Sequence, residues 1–129
     1  MYTNPKTAYL TTRATSSVHG ASPHKLIALL FDAALENLAI VKGSMQRKEI
    51  KQKVDGVRKV IEIVNELQAS LDLDKGGQVA RNLDDLYTFC TNRLALANAT
   101  NDVEKIDEVF RVIAELQQGW SEIAGTLST

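Results

Sequence analysis

The stretch from Gly76 to Asn98, GGQVARNLDDLYTFCTNRLALAN, constrains the chain more than any other, because it keeps a helical period along its whole length. Val79, Leu83, Leu86, Cys90, Leu94 and Ala97 recur at steps of three and four, the pattern of a face buried against partner helices. A second line climbs beside it through Asn82, Leu86, Phe89, Arg93 and Leu96, mixing apolar residues with an amide and a guanidinium. Such a line suits a peptide groove: apolar teeth supply affinity, while amide and Arg groups pair with the main chain of an extended guest. The same residues also fit the edge of a wide core with a solvated Arg93, and on pattern alone that is the commoner arrangement.

Three further segments carry the same period. Ser22-Pro23 predicts a helix start, with Ser22 as N-cap acceptor and Pro23 at the first helical position, where its missing N–H costs nothing. Apolar residues from Leu26 to Val41 cover more than half of this helix's circumference, so it is buried on more than one side, and Gly43 is expected to close it. From about Glu49 to Leu71 the regular seam is Ile50, Val54, Val57, Ile61, Val64 and Leu71. Val60, Ile63 and Leu67 lie off to one side of it, where they cover a second neighbour or line a guest groove opposite Asn82, Leu86, Phe89 and Arg93. Gly56 sits mid-helix at about 1 kcal/mol against Ala, a position that admits close approach of another backbone.

Gly76-Gly77 permits a tight reversal, and Ala99 to Asp102 supplies another short turn with Asn101 or Asp102 as a cap. The last helix runs through Val103, Ile106, Phe110, Ile113, Trp120, Ala124 and Leu127. Four amphipathic segments joined by short turns predict an all-α fold, an antiparallel up-and-down four-helix bundle over residues 22–129. Residues 1–21 read as a polar N-terminal arm in which Tyr2, Tyr9 and Leu10 are isolated apolar groups, which points to an arm that docks yet can be removed.

At 129 residues and 44% hydrophobic, the chain suits one domain with a core of its own. A net charge of -1 leaves no global field for nucleic acid. No apolar run reaches membrane-spanning length and the polar N-terminus lacks a signal-peptide core, so a cytoplasmic location is expected. Chemistry is hard to find. His19 and His24 flank a turn without paired carboxylates, so no metal site is expected and the two read as surface or capping histidines. Gly76-Gly77 lacks the Lys-Ser/Thr of a phosphate loop. Cys90 sits in the core stripe with no basic neighbour to activate it. The residues alone lead to a four-helix bundle that binds another polypeptide.

The run from Gly76 to Phe89, followed by Arg93-Leu94, Ala97-Asn98 and Asn101-Asp102, resembles the central signature of the FliS family of flagellar export chaperones. Pro23, Leu26-Ile27, Leu29 to Asp32 and Ala34-Leu35 resemble that family's first helix, Glu108-Val109, Leu116 and Trp120 its last, and Asn4-Pro5 and Ala8-Tyr9 its N-terminal segment. Phe31, Ala33 and Lys6 depart from it, where Tyr, Gly and Tyr are more usual. The resemblance implies a chaperone that is not an enzyme and uses no cofactor. It implies that the chain holds the disordered C-terminal segment of flagellin in the cytoplasm, prevents premature polymerisation and assists delivery to the flagellar type III secretion apparatus, with the export gate as a further partner. The expected flagellin-binding residues are Tyr9, Leu10, Val60, Ile63, Leu67, Asn82, Leu86, Phe89 and Arg93, with Tyr9 and Leu10 as a displaceable cover. A self-associating structural or regulatory protein, as far as a homodimer, would use the same broad apolar faces.

Overall fold

The computed structural model describes residues 22–127, and the side chains of residues 22–123. They form four helices: α1 Pro23–Gln46, α2 Ile50–Ala69, α3 Gly77–Thr100 and α4 Val103–Leu127. The Ser22 side chain accepts from the Lys25 N–H and Pro23 opens α1, as the sequence predicts. Gly43 does not close that helix. α1 continues to Gln46, and Lys48, at φ 58, takes the left-handed position while the Lys48 and Glu49 N–H groups donate back to Met45 and Ser44. This is a Schellman closure with lysine where glycine is usual. Gly77 does supply the left-handed turn before α3, at φ 56. Asn101, at φ 53, ends α3, and the Asp102 carboxylate then accepts from the Glu104 N–H to start α4.

Contacts run around the bundle, α1 with α2, α2 with α3, α3 with α4 and α4 with α1. Polar pairs fix the antiparallel sense. His24 and Trp120 meet at one end of α1 and α4, and Lys42 and Asp107 at the other; Gln68 reaches Asp84 near one end of α2 and α3, and Lys53 reaches Asn98 near the other.

The core differs from the expected seams in a systematic way. In α2 the buried line is Val57, Val60, Val64 and Leu67, while Ile50 is 71% exposed, Val54 is exposed and Ile61 is half-buried. The seam therefore turns by roughly one residue from the expected one, and Val60 and Leu67 are core rather than groove wall. In α3, Ala80, Leu83, Tyr87, Cys90, Leu94 and Ala97 are buried, with Val79 and Leu86 half-buried at the edge. In α4, Val109 takes the core place expected of Phe110, which is exposed. Gly56 is buried, and a Cβ there would stand 2.7 Å from Val41 Cγ2, so the missing side chain lets α1 and α2 close together.

Candidate functional site

The line read on α3 emerges on the flank that faces α4. Arg93 Nε lies 3.1 Å from Glu108 of α4, and the guanidinium carbon sits 4.9 Å from the centroid of the Phe89 ring. The cation is thus held against an aromatic face one turn below it. Asn82 and Leu96 are exposed, Leu86 is half-buried and Phe89 is 37% exposed. Asn82 Oδ1 accepts from Gln78, which leaves its amide N–H groups directed away from that bond. Phe89 and Leu96 are large apolar groups left in contact with water, with the donor Arg93 between them and the donor Asn82 two turns before Phe89.

The opposite flank of α3 is occupied. Gln68 of α2 donates to Asp84 Oδ1 at 2.9 Å and to Thr88 Oγ1 at 3.0 Å. Ile63 does not stand across from the line: it shares a face of α2 with Gly56, two turns earlier, and Gly56 packs on α1. The three residues expected to form one wall, Val60, Ile63 and Leu67, therefore do not lie together on the surface beside that line. Two of these residues are core and the third belongs to the α1 side, because the seam of α2 is rotated from the one the sequence suggested. Tyr9 and Leu10 lie outside the described residues.

The wall that does face the line belongs to α4. Glu108, Val112, Leu116 and Gly119 succeed one another at steps of four, four and three. At the upper end of this seam is a hollow of about 120 Å³ between α3, α4 and α1, with an almost wholly apolar lining. Phe31, Leu83 and Trp120 are its buried floor, Val79 and Leu116 its half-buried walls, and Glu115 its charged rim. Among the described residues, the backbones of α3 and α4 approach one another at the fewest places of any neighbouring helix pair.

Trp120 is locked where it lines this hollow. The His24 ring stacks on it at 4.4 Å between centroids, 7° from parallel. Trp120 Nε1 donates to the His24 carbonyl at 2.9 Å, and His24 Nε2, facing the Trp120 carbonyl at 3.0 Å, must carry the proton of that bond. His24 is thus a tie between α1 and α4, a role that pattern reading missed, since nothing in sequence spacing relates two residues 96 positions apart. Cys90 is a free buried thiol, and burial pushes its pKa up to about 11. Among the described residues no cluster of His, Cys, Asp and Glu could hold a metal ion, and no helix is long and apolar enough to cross a membrane.

The family model of the flagellar protein FliS matches residues 5–127. The chain belongs to the FliS family. It is 40% identical over 109 residues to the flagellar secretion chaperone FliSB of Pseudomonas aeruginosa, covering 84% of this chain and 86% of that one. It is 36% identical to flagellar secretion chaperone FliS of Salmonella typhimurium, over 91% and 87% of the two chains. The FliS of Vibrio cholerae is 35% identical, over 90% and 85%. The match takes in all four helices, so the exposed α3 line and the seam beside it belong to a FliS protein.

Proposed function

We propose that this FliS protein, a flagellar export chaperone, acts in the cytoplasm by holding the disordered C-terminal segment of flagellin, preventing its premature polymerisation and assisting its delivery to the flagellar type III secretion apparatus. The observation that carries the reading is the line Asn82, Leu86, Phe89 and Arg93, exposed or half-buried along the α3–α4 seam in a chain of this family. A segment without a fold of its own gains apolar burial on Leu86 and Phe89, at about 25 cal/mol per Å² removed from water. Asn82 and Arg93 satisfy main-chain carbonyls that burial would otherwise leave without water. The guest's ordering cost is set against that gain and keeps affinity moderate, so the export gate can take the guest over without a covalent step.

Calorimetric titration with a synthetic peptide of the flagellin C-terminal segment tests the reading. Saturable binding with a negative heat-capacity change is the expected result. A chain that is helical by circular dichroism and yet gives no binding in mild salt would overturn it.

A further inference from the structure

We propose that the hollow formed by Phe31, Val79, Leu83, Leu116, Gly119 and Trp120 is an anchor pocket for one branched aliphatic side chain of the guest, and that Gly119 keeps it open. The inference rests on the flagellin-binding reading and adds what the guest must bring to it.

Except for Glu115 at the rim, every contributor to the lining is apolar or glycine, so water inside would find too few polar partners to be held well. An apolar side chain entering it displaces weakly held water and gains contacts on every side. Size narrows the choice. At about 120 Å³ the hollow is somewhat smaller than the ~150 Å³ cavity that accepts benzene, so leucine, isoleucine or valine fits and tyrosine or tryptophan does not. A Cβ built on Gly119 meets nothing within 4 Å, so a side chain there would have free space to occupy. Nothing in the packing of α4 demands glycine, which otherwise weakens a helix interior.

Position completes the case. Val79 and Leu83 lie on α3 immediately before Leu86, on the flank that continues through Asn82, Phe89 and Arg93. From Val79 to Arg93 is fourteen residues, roughly 21 Å along the helix. A guest anchored at the hollow by one side chain would have its following main chain laid along the donors of the line. The anchor sets the register and the line reads the main chain.

Trp120, the chain's single tryptophan, lines the pocket and reports on it directly. The intact chain is titrated with a tryptophan-free flagellin C-terminal peptide, followed by calorimetry and by Trp120 emission. A series of peptides then replaces each aliphatic residue with alanine. Binding should change Trp120 emission, and one alanine peptide should bind at least tenfold more weakly. Gly119→Leu, which puts an apolar side chain on the pocket's glycine wall, should weaken the parent peptide by a similar factor and erase the difference between it and that alanine peptide. Should Gly119→Leu lower the melting temperature, the alanine series on the unaltered chain still decides. Heat of binding with unchanged Trp120 emission and no alanine peptide weakened tenfold would overturn the anchor while leaving the chaperone reading standing. Absence of any heat with the unaltered chain would remove the chaperone reading itself.

Discussion

The flank between α1 and α2 and the flank between α3 and α4 are built from similar residues and end in opposite states. On the first, Gly56 gives up its side chain so that Val41 can press against the backbone, and Ala34, Leu38, Val57 and Val60 are buried on the two helices. The surface hollow above Gly56 is larger, about 500 Å³, but it is lined by Asn37, Glu49, Lys51, Gln52, Asp55 and Lys59 as well as Ile40, so water is at home there. On the second, glycine faces open space, Phe89 and Leu96 stand partly in water, and the hollow is apolar. A Cβ on one glycine would strike the facing helix, and a Cβ on the other would meet nothing within 4 Å. On the proposed function the two tasks, staying folded and taking a guest, fall to different helix pairs, so that occupancy of one would leave the other undisturbed.

The largest effect expected from this contrast is at Leu67. It is fully buried in α2, and Leu67→Ala should cost about 2–5 kcal/mol through lost burial and the cavity left behind. Urea unfolding measures that loss, and peptide binding should fall only in proportion to the folded fraction. A stable Leu67→Ala chain that fails to bind would place the guest on α2 after all.

Phe89 should behave in the reverse way. Phe89→Asp replaces an exposed ring, removes the seat of the Arg93 guanidinium and sets a charge where apolar contact is expected. Binding of the flagellin peptide should weaken tenfold or more, about 1.4 kcal/mol, while the urea midpoint falls by less than it does for Leu67→Ala. Loss of stability comparable to that of Leu67→Ala would make Phe89 part of the core and close the proposed groove.

How much of this was legible follows from what kind of information each feature needs. The helices, their order, the Ser22-Pro23 start and the reversal at Gly77 are local, and period and turn chemistry reveal them. The exposed line on α3 was legible as well, because Asn82 and Arg93 interrupt the apolar pattern. Which flank it faced was not. α2 carries apolar residues at Ile50, Val54, Val57, Val60, Ile61, Ile63, Val64 and Leu67, enough for two overlapping seams, and only the partner helices choose between them. The choice fell on Val60 and Leu67, which placed Ile50 in solvent and left Glu108 of α4, not α2, beside Arg93. Gly43 misled for a related reason: a Schellman closure is completed by hydrogen bonds from Lys48 and Glu49, which outweigh the mild strain of a left-handed lysine. The His24–Trp120 tie joins the start of one helix to the far part of another, and no sequence period encodes it.

Cys90 and Phe89 are chain neighbours on opposite sides of this division, and pH separates them. The Cys90 thiol, ordinarily near 9.0, is raised to about 11 by burial, so between those values the unfolded chain releases the proton and the folded chain keeps it. Stability should therefore fall as pH rises from about 9 towards 11 and show no Cys90 contribution below about 9. Urea midpoints at stepwise pH check the slope, and Cys90→Ala should remove its share. Alkylation of the thiol at pH 8 should be slow while the chain is folded, with or without peptide. Rapid alkylation in the absence of denaturant would mean that the open flank loosens the core face of α3 as well.

The smallest effect is the sharpest test of the contrast, because it makes the same substitution twice. Gly56→Ala brings a methyl to within 2.7 Å of Val41 Cγ2, and Val41 is a stiff, fully buried side chain that cannot step aside. Overpacking costs about 1–3 kcal/mol while the better helix propensity of alanine returns up to about 1, so the net change is a loss of about 1 kcal/mol. Gly119→Ala meets nothing, and only the propensity gain remains, so stability should rise by about 0.5–1 kcal/mol. The two variants should thus move the urea midpoint in opposite directions without changing the slope. If both are destabilised, the space beside Gly119 is filled in solution and the α3–α4 flank is closed. If both are stabilised, α1 and α2 can part by a few tenths of an ångström, and the division between a sealed flank and an open one fails at the seam that was supposed to be rigid.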